Sequence, residues 1–312
     1  MESPTVQIIT LNWNGLEDTL ECLRSLAGLT YSAVNVIVVD NGSSDNQAEI
    51  IEQEFPDVVV LKQSENLGFC GGCNVGINYA MENGADYVML LNNDTLVPPD
   101  LLEKLLAGIE GLDDLGAASP IVMEYPETDR VSITDVKWST SKARFILRGK
   151  DDVYDDFATR KPYITEFTCG CCLFASTEMF RTAGLLDERY FAFFDEAEWC
   201  ERIRRLGYSS YIVPSAVMYH KGSRSTPSLV GVYLMTRNRL LWMKENVPLG
   251  KRLRSFPLLV KEVLWHAANL LGLTKKYYSK NHSRAALQGY KDYFRGKFYK
   301  WSDATERTIL EK

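Results

Sequence analysis

The feature that most constrains the fold is a regular alternation of β-branched runs with helical periodicity in the first third of the chain. Predicted strands cover Val6–Leu11, Val34–Val39, Val58–Leu61 and Tyr87–Leu91, and predicted helices cover residues 16–28, 48–55, 75–82 and 98–111. Strands and helices that alternate at short intervals form a parallel sheet with right-handed crossovers and helices on both faces. The predicted fold class is therefore α/β, with a mostly parallel central sheet covered by helices.

Polar residues stand where these predicted strands end. Asn12 follows the first strand, Asp40 follows the second, and the fourth runs into Asn92, Asn93 and Asp94. The carboxyl ends of parallel strands line the crevice in which such sheets bind ligands. Two amides and a carboxylate also suit a hard divalent cation or the phosphates that it carries. A strand that runs into a polar turn, with Asp94 capping the next helix, would give the same pattern, so this motif alone leaves both interpretations open.

The remainder of the first 245 residues continues the α/β pattern around one weaker segment. Ser43, Ser44 or Asp45 is expected to cap the second helix, and residues 66–74 are expected to form a glycine-rich loop before the third. Residues 124–163 predict short hairpins or a mobile loop. Further strands are predicted at 117–123 and 211–214, the latter leading on to His220, and further helices at 178–183 and 196–206. Residues 167–176 are apolar and small, and Gly170 is expected to let the backbone approach a ligand closely.

Cysteine usage bears on the compartment and on metal binding. Five of the seven cysteines fall in two groups, one formed by Cys70 and Cys73 and the other by Cys169, Cys171 and Cys172. An odd number with no signal peptide ahead of it favours a reducing cytoplasm. A zinc site needs two spaced ligand pairs, and Cys70 and Cys73 have no evident partner pair, so buried or loop thiols are expected.

Charge is distributed unevenly along the chain. Residues 244–312 hold 15 Lys and Arg against 6 Asp and Glu, whereas the first 243 residues hold 20 against 35. An acidic body with a basic tail indicates that the tail meets something anionic. We expect no nucleic acid partner, because no nucleic-acid recognition motif is present and the acidic body would repel a phosphate backbone. A membrane surface fits better.

The tail, residues 246–312, is predicted to contain two amphipathic helices. The apolar run 256–273 has Lys261 and Glu262 near its middle, which favours a helix in the membrane interface over one that spans the membrane. The basic and aromatic residues Lys275, Lys276, Tyr277 and Tyr278 follow it directly. A second basic helix is predicted from the spacing of Leu287, Tyr290, Phe294, Phe298 and Trp301. The alternative is that both helices pack on the first domain, residues 1–245, or on a second subunit in a homo-oligomer.

Five motifs together resemble the family 2 glycosyltransferases, most closely their rhamnosyltransferase-like and galactofuranosyltransferase-like members. In chain order, they are Thr10-Leu-Asn-Trp-Asn-Gly15, Val39-Asp-Asn-Gly-Ser-Ser-Asp45, Asn66-Leu-Gly-Phe69 with Asn74, Leu91-Asn-Asn-Asp-Thr95, and Phe193-Phe-Asp-Glu-Ala-Glu198 with Arg202. Each motif is weak alone, but the ordered set extends over about residues 5–245. The resemblance implies a GT-A fold, a nucleoside-diphosphate sugar donor, and transfer with inversion at the anomeric carbon.

The resemblance also implies a set of nucleotide-sugar contacts. Asp40 would accept the imide N–H of a uracil or thymine ring, a bond that a carboxylate makes well. The other members of this set are Asn12, Asn66, Gly68, Asn74 and Asn93, with Gly68 allowing the loop to approach the nucleotide closely. Helix capping by Asp40 and simple turn chemistry at the amides are the alternatives.

Metal binding is implied by the same resemblance at Asn92, Asp94 and His220. The family commonly has Asp-x-Asp where this chain has Asn92-Asn-Asp94, so one negative charge is missing and His220 becomes the expected helper. An imidazole ligand favours Mn²⁺ over Mg²⁺. The metal would neutralise the departing diphosphate as a Lewis acid. Without the family resemblance, a packing or capping role would suit His220 equally well.

The catalytic base is implied at the pair Asp195 and Glu196. A hydroxyl is a weak nucleophile unless its proton is removed during attack. The family commonly carries Glu-Asp or Asp-Asp here with the second carboxylate as base, which assigns Glu196 and keeps Asp195 as a rival because Glu196 is longer. Charge stabilisation of a helix N-terminus explains one such acid, but three acids stand at 195, 196 and 198. Glu198 and Arg202 are spaced to pair on the helix face.

The function expected from the sequence is a metal-dependent inverting glycosyltransferase, cytoplasmic and peripheral on the inner face of the membrane. Its donor would be dTDP-rhamnose or a UDP-sugar, and its acceptor a saccharide or lipid-linked saccharide in surface glycan synthesis. Residues 124–163 and 169–172 are expected to line the sugar pocket. The rivals are a sugar-1-phosphate nucleotidyltransferase, which lacks its expected Arg-containing glycine-rich loop here, and a non-catalytic nucleotide-sugar-binding protein.

Overall fold

The fold was analysed in a computed structural model that describes residues 3–126, 129–150, 152–222, 228–274, 279–301, 305 and 307. The strands are β1 (Val6–Asn12), β2 (Val34–Asp40), β3 (Val59–Lys62), β4 (Tyr87–Leu91), β5 (Thr95–Leu96), β6 (Leu115–Glu124), β7 (Val131–Ile133), β8 (Asp135–Ser139), β9 (Arg144–Arg148), β10 (Tyr163–Thr165), β11 (Cys172–Ser176) and β12 (Ser209–His220). The helices are α1 (Leu16–Leu26), α2 (Gln47–Glu54), α3 (Gly68–Glu82), α4 (Leu101–Ile109), α5 (Asp155–Ala158), α6 (Thr177–Ala183), α7 (Asp195–Arg205), α8 (Leu229–Asn246), α9 (Leu249–Leu270) and α10 (Lys280–Phe294).

A mixed central sheet organises the first 220 residues. Its strand order is β10-β12-β6-β11-β4-β1-β2-β3. β1 to β4 are mutually parallel where they pair, as are β6 and β12, whereas β11 runs antiparallel between β4 and β6. The predicted α/β class is confirmed, and the antiparallel β11 is what makes the sheet mixed. Apolar runs such as Val34–Val39 suit these inner strands because helices cover both faces.

Glycines in α3 set how closely that helix lies on the sheet. A Cβ at Gly72 would lie 2.6 Å from Leu11 Cδ2, and one at Gly76 would lie 2.5 Å from Ile9 Cγ2. The prediction of a glycine-rich loop over residues 66–74 is therefore wrong from Gly68 onward, because the helix already begins there and its glycines serve close helix–sheet packing. The predicted cap of α2 is also wrong, since Asn46 precedes that helix and makes no side-chain capping bond.

The weak segment between β6 and β11 forms a hairpin, one of the two forms predicted for it. β8 and β9 pair antiparallel, with Asp135 opposite Arg148 and Ser139 opposite Arg144. Its turn is tied to the tail, because Ser255 Oγ on α9 donates to the Thr140 carbonyl oxygen at 2.7 Å. This bond holds the turn of the hairpin next to α9.

The tail helix α10 packs on α8. Ala285, Ala286 and Tyr290 are buried, and a Cβ at Gly289 would lie 2.7 Å from the Tyr233 carbonyl oxygen, so the two helices touch closely. α10 ends at Phe294, so the predicted helix through Phe298 and Trp301 is wrong beyond that point; Gly296 follows at a φ of 67°. α10 thus follows the alternative considered for the tail, in which a tail helix packs on the rest of the protein.

The other tail helix, α9, keeps an exposed apolar side. This outer face consists of Leu249, Leu253, Phe256, Val260 and Leu264, which follow one another at spacings of three and four and are 39 to 64% exposed. None of the helices among the described residues is long and apolar enough to cross a membrane. Lys275, Lys276, Tyr277 and Tyr278, predicted to anchor this helix, lie outside the described residues.

Candidate active site

Buried amides hold Asp40 at the carboxyl end of β2. The side-chain nitrogen of Asn12, in register with Asp40 on the neighbouring strand, donates to Asp40 Oδ2 at 2.8 Å. The backbone N–H of Ser43 donates to Asp40 Oδ1 at 3.0 Å. Asn12 is fully buried and Asp40 is 4% exposed. Asn12 therefore orients the carboxylate, whereas Asp40 keeps acceptor lone pairs for a further donor.

The same network reaches the end of β4 through α1. Thr19 Oγ1 donates to Asn12 Oδ1 at 3.0 Å and accepts from the Asn93 side-chain nitrogen at 2.9 Å. One chain of bonds thus joins Asp40, Asn12, Thr19 and Asn93 across three parallel strands. The predicted site residues at these strand ends are brought together, with Thr19 as a member that the sequence analysis missed.

The turn before α3 is closed by Asn41 and Asn66. Asn66 Oδ1 accepts from the Gly68 N–H at 2.8 Å and from the Asn41 side-chain nitrogen at 3.2 Å. Gly68 has a φ of 77°, and a Cβ there would lie 2.5 Å from the Phe191 carbonyl oxygen. Gly68 therefore approaches Phe191 closely, on the segment that precedes Asp195 and Glu196.

Asn74 lies inside α3 and is committed to intramolecular bonds. Its nitrogen donates to the Leu186 carbonyl oxygen at 2.9 Å and to Glu188 Oε1 at 3.1 Å, and its oxygen accepts from the Leu186 N–H at 2.9 Å. With the side chain 5% exposed, these bonds occupy its polar atoms. Through these bonds Asn74 ties α3 to residues 186–188, and its contact with a nucleotide stays a prediction.

Asp94 and His220 meet because β5 pairs with the end of β12, where His220 is opposite Thr95. Asp94 Oδ1 and His220 Nε2 are 3.1 Å apart. Burial alone would raise the pKa of Asp94, but the His220 bond and charge outweigh it and hold that pKa below its usual value. Burial would lower the pKa of His220, but Asp94 raises it overall. Lys221, paired with Asp18 and with Glu21 at 2.6 Å, fixes this strand end to α1.

The spacing of this pair suits a single cation. Adjacent ligands of an octahedral ion with bonds of about 2.1 Å lie about 3 Å apart, which matches the distance between Asp94 Oδ1 and His220 Nε2. Among the described residues, no group of three or more His, Cys, Asp or Glu side chains is placed to hold a metal ion. The pair would therefore hold a metal only together with Asn92, water or the oxygens of a diphosphate.

The carboxylates of Asp195 and Glu196 stand at the N-terminus of α7. Burial raises the pKa of Asp195 to about 6, and backbone N–H groups at the helix start offset part of that rise. Burial and then the neighbouring Asp195 raise the pKa of Glu196 well above its usual value. A carboxyl group with a pKa near neutrality is suited to proton transfer at physiological pH. Glu198 pairs with Arg202 as predicted.

Gly170 lies directly against the Glu196 carboxylate. A Cβ at Gly170 would be 2.8 Å from Glu196 Oε1. The flanking thiols of Cys169 and Cys171 are 3.2 Å apart, and all seven cysteines are buried, free thiols. Gly170 thus leaves room for the carboxylate, where the sequence predicted room for a ligand.

A clamp from α8, formed by Arg237 and Asn238, holds the segment before Asp195 and Glu196. Phe191, Phe193 and Phe194 have φ values of 64° to 71°, which are uncommon for residues other than glycine. The Asn238 nitrogen donates to the carbonyl oxygens of Tyr190, Ala192 and Phe193 at 2.7 to 3.0 Å. Arg237 donates to those of Arg189, Tyr190 and Tyr299. The sequence analysis missed this clamp, whose only signal was an Arg and an Asn inside an apolar helix.

One cavity of about 1470 Å³ is lined by Asn92 and His220 as well as by Asp195 and Glu196. The segments predicted to line the pocket also reach it, because residues of the β8–β9 hairpin and Cys169, Gly170 and Cys171 form part of its wall. The cavity thus brings an imidazole and an amide near two buried carboxyl groups.

The fold is that of the GT-A glycosyltransferases. A mannosyltransferase from Pyrobaculum calidifontis, solved with GDP-mannose and Mn²⁺, superposes with a TM-score of 0.58 at 15% identity over 95% of this chain and 89% of that one. The glycosyltransferase GalNAc-T7, solved with UDP, GalNAc and Mn²⁺, gives 0.58 at 16% identity over 74% of this chain and 47% of that one.

Sequence comparison assigns the family. The model of glycosyl transferase family 2 matches residues 6–178, and the chain belongs to that family. An N-acetylglucosaminyl-diphospho-decaprenol L-rhamnosyltransferase of Mycobacterium tuberculosis is 26% identical over 65% of this chain and 72% of its own. A dTDP-rhamnosyl transferase of Shigella flexneri is 24% identical over 81% of this chain and 85% of its own. The family resemblance and the GT-A fold predicted from sequence are confirmed.

Proposed function

We propose that this protein is an inverting, metal-dependent glycosyltransferase that moves a hexosyl group from a nucleoside-diphosphate sugar to a hydroxyl of a saccharide or lipid-linked saccharide. The rhamnosyltransferases among its relatives support dTDP-rhamnose as the first donor to test and UDP-sugars as the next. The observation that carries the proposal is the single cavity lined by Asn92, His220, Asp195 and Glu196.

In this proposal Asp195 and Glu196 are the catalytic pair, with Glu196 as the base and Asp195 as its rival. As the acceptor oxygen bonds to the anomeric carbon, its proton passes to the Glu196 carboxylate. The bond from that carbon to the diphosphate oxygen breaks, and its electron pair leaves with the diphosphate. Attack from the side opposite the leaving group inverts the anomeric centre, which requires the base and the diphosphate site to face each other across the cavity.

The donor would be held by the hydrogen-bonded side chains at the ends of β1, β2 and β4. Asp40, oriented by Asn12, has acceptor capacity for the imide of a pyrimidine base. A divalent metal held by Asp94 and His220, Mn²⁺ in preference to Mg²⁺ because of the imidazole, would neutralise the diphosphate. Asn93 and Asn66 position the neighbouring turns in this proposal.

Membrane association is proposed through the outer face of α9. A row of exposed apolar side chains flanked by Arg252 and Lys261 suits an anionic bilayer surface. We place the protein peripherally on the cytoplasmic face. The pair of changes Leu253→Glu and Leu264→Glu should release it from anionic liposomes in a flotation assay. If it instead turned a dimer into a monomer while leaving flotation unchanged, this face would be a subunit interface.

The activity is tested by incubating the purified protein with dTDP-rhamnose and a panel of UDP-sugars in Mn²⁺. Free nucleoside diphosphate should appear slowly and then faster with a saccharide acceptor, and chelation should stop its release. His220→Ala should raise the Mn²⁺ concentration needed for half-maximal rate.

Other outcomes of this assay would contradict the proposal. Pyrophosphate release from a nucleoside triphosphate and a sugar 1-phosphate would identify a nucleotidyltransferase. Donor binding without turnover under any condition would identify a non-catalytic binding protein.

A further inference from the structure

The cavity beside the catalytic pair continues to the helices of the tail. Its volume of about 1470 Å³ exceeds the roughly 300–1,000 Å³ typical of small-ligand sites. Leu258 and Trp265 on α9 and Met235 on α8 line the part contributed by these helices. The space is larger than a donor sugar and its diphosphate require.

This part of the wall is apolar and accessible. Leu147, Phe193, Met235 and Leu258 line it, and each is 37 to 56% exposed. Several large apolar side chains left exposed on one concave surface are typical of a binding groove. A saccharide has too little apolar surface to cover these side chains, whereas a hydrocarbon chain would bury them.

Two cationic side chains stand beside the apolar wall. Lys142 and Arg144, at the turn of the β8–β9 hairpin, line the same cavity. Their charges suit a phosphate group, which accepts charge-assisted hydrogen bonds from both residue types. Arg239 is less available, because it is paired with Glu262 at 2.7 Å.

We propose that this wall binds the hydrocarbon chain of an acceptor whose sugar is joined to a lipid through a phosphate or diphosphate. The inference rests on the proposed glycosyltransferase function and selects the lipid-linked class among its acceptors. The sugar hydroxyl meets the catalytic pair, the phosphate lies near Lys142 and Arg144, and the chain runs along Met235 and Leu258.

The position of α9 supports a lipid as the occupant. At about 100° per residue, Leu258 and Trp265 lie on the side of the helix opposite its outer face. A single helix, about 10 Å across, therefore separates the cavity from the surface proposed to meet the bilayer. A chain leaving the bilayer edge has a short path into the cavity.

The test is calorimetric titration of the purified protein, without donor, with butyl, octyl and dodecyl phosphate below their micelle concentrations. Affinity should rise with chain length, by up to about fourfold for each buried methylene, and inorganic phosphate should bind far more weakly. Met235→Glu should weaken dodecyl phosphate binding at least tenfold. Leu264→Glu, a matched change on the outer face of α9, should leave it unchanged.

The phosphate part is tested separately. Replacing Lys142 and Arg144 together by Ala should remove the preference for octyl phosphate over octanol. Affinity independent of chain length, or equal losses in Met235→Glu and Leu264→Glu, would overturn the proposal. Hydrolysis of the nucleotide-sugar donor distinguishes the lipid site from the glycosyltransferase function. If the protein hydrolyses the donor but does not bind the alkyl phosphates, the lipid site alone is rejected. If the protein never hydrolyses a donor, the glycosyltransferase function is rejected.

Discussion

Gly170 and the Glu196 carboxylate are so close that a Cβ on the glycine would lie 2.8 Å from Oε1. The carboxylate group would move first, because it is the end of a flexible side chain. The backbone of residues 169–171 and the start of α7 would keep their places. The contact therefore determines the position of the Glu196 carboxylate more than it determines the fold.

Gly170→Ala should displace that carboxylate and lower kcat. A misplacement of about 1 Å at a reacting group costs on the order of 100-fold in rate, so we expect a 10- to 100-fold loss with an unchanged melting temperature. Steady-state kinetics and thermal melting measure the two effects. Gly250→Ala is the control, since a Cβ there meets nothing within 4 Å. Full activity in Gly170→Ala would show that Glu196 does not act from its observed position.

The pH dependence of kcat should show a raised acid limb. A base must be ionised, so the rate should fall as the pH falls through its pKa. Burial raises the pKa of Asp195 to about 6 and that of Glu196 well above its usual value, so the limb should lie above the range of an ordinary carboxyl group. The variants then identify the base, and we expect an inactive Glu196→Gln that still binds donor. A fully active Glu196→Gln would transfer the role to Asp195.

Asp195→Asn should stabilise the protein at high pH. Because burial raises the Asp195 pKa, the stability associated with its protonated form is present below the unfolded pKa and is lost as the pH rises through about 6. The wild-type carboxylate then costs up to about 3 kcal/mol at pH 8. Melting temperatures should differ most at pH 8 and converge near pH 4. A difference that does not vary with pH would exclude this cause.

Asn238→Ala should lower kcat with little change in donor KM. It removes the side-chain donor of the Ala192 and Phe193 carbonyl groups, and a buried carbonyl group is costly to leave unpaired; the Tyr190 carbonyl oxygen keeps its bond from Arg237. The catalytic pair that follows loses its placement, while the Asp40 network is untouched. Asn246→Ala, at the far end of α8, is the control. A rise in donor KM with kcat preserved would assign Asn238 to the donor site instead.

The sequence predicted what depends on local pattern. Alternating apolar runs located β1 to β4, and the polar residues at their ends led to Asp40 and Asp94. The pairing of Asp94 with His220 across 126 positions was reached only through the family resemblance, because the β5–β12 register that creates it has no local signature. The glycines of α3 were misassigned because a glycine required for helix packing has the same sequence pattern as one in a loop.

Residues whose role depends on tertiary partners could not be predicted. Asn74 and Gly68 belong to family-like motifs, yet their partners are Leu186 and Phe191, which stand more than a hundred positions away. Asn238 sits in an apolar helix, where nothing local indicates that its amide serves three distant carbonyl groups. Tyr290 matched the pattern of a membrane-facing helix but is buried against other helices. Periodicity indicates which side of a helix is apolar, but it does not indicate whether a membrane or another helix covers that side.

The bonds from Arg237 to the carbonyl oxygens of Tyr190 and Tyr299 have a consequence for the order in which the enzyme matures on the ribosome. The strands that hold the donor network are translated first, and the segment leading to Asp195 and Glu196 follows. The residues that hold that segment emerge later, Tyr299 more than a hundred positions after Arg189, whose carbonyl oxygen accepts its N–H. A nascent chain therefore has β1 to β4 available early, whereas the segment before Asp195 and Glu196 gains these bonds only after residues 237 and 299 have left the exit tunnel.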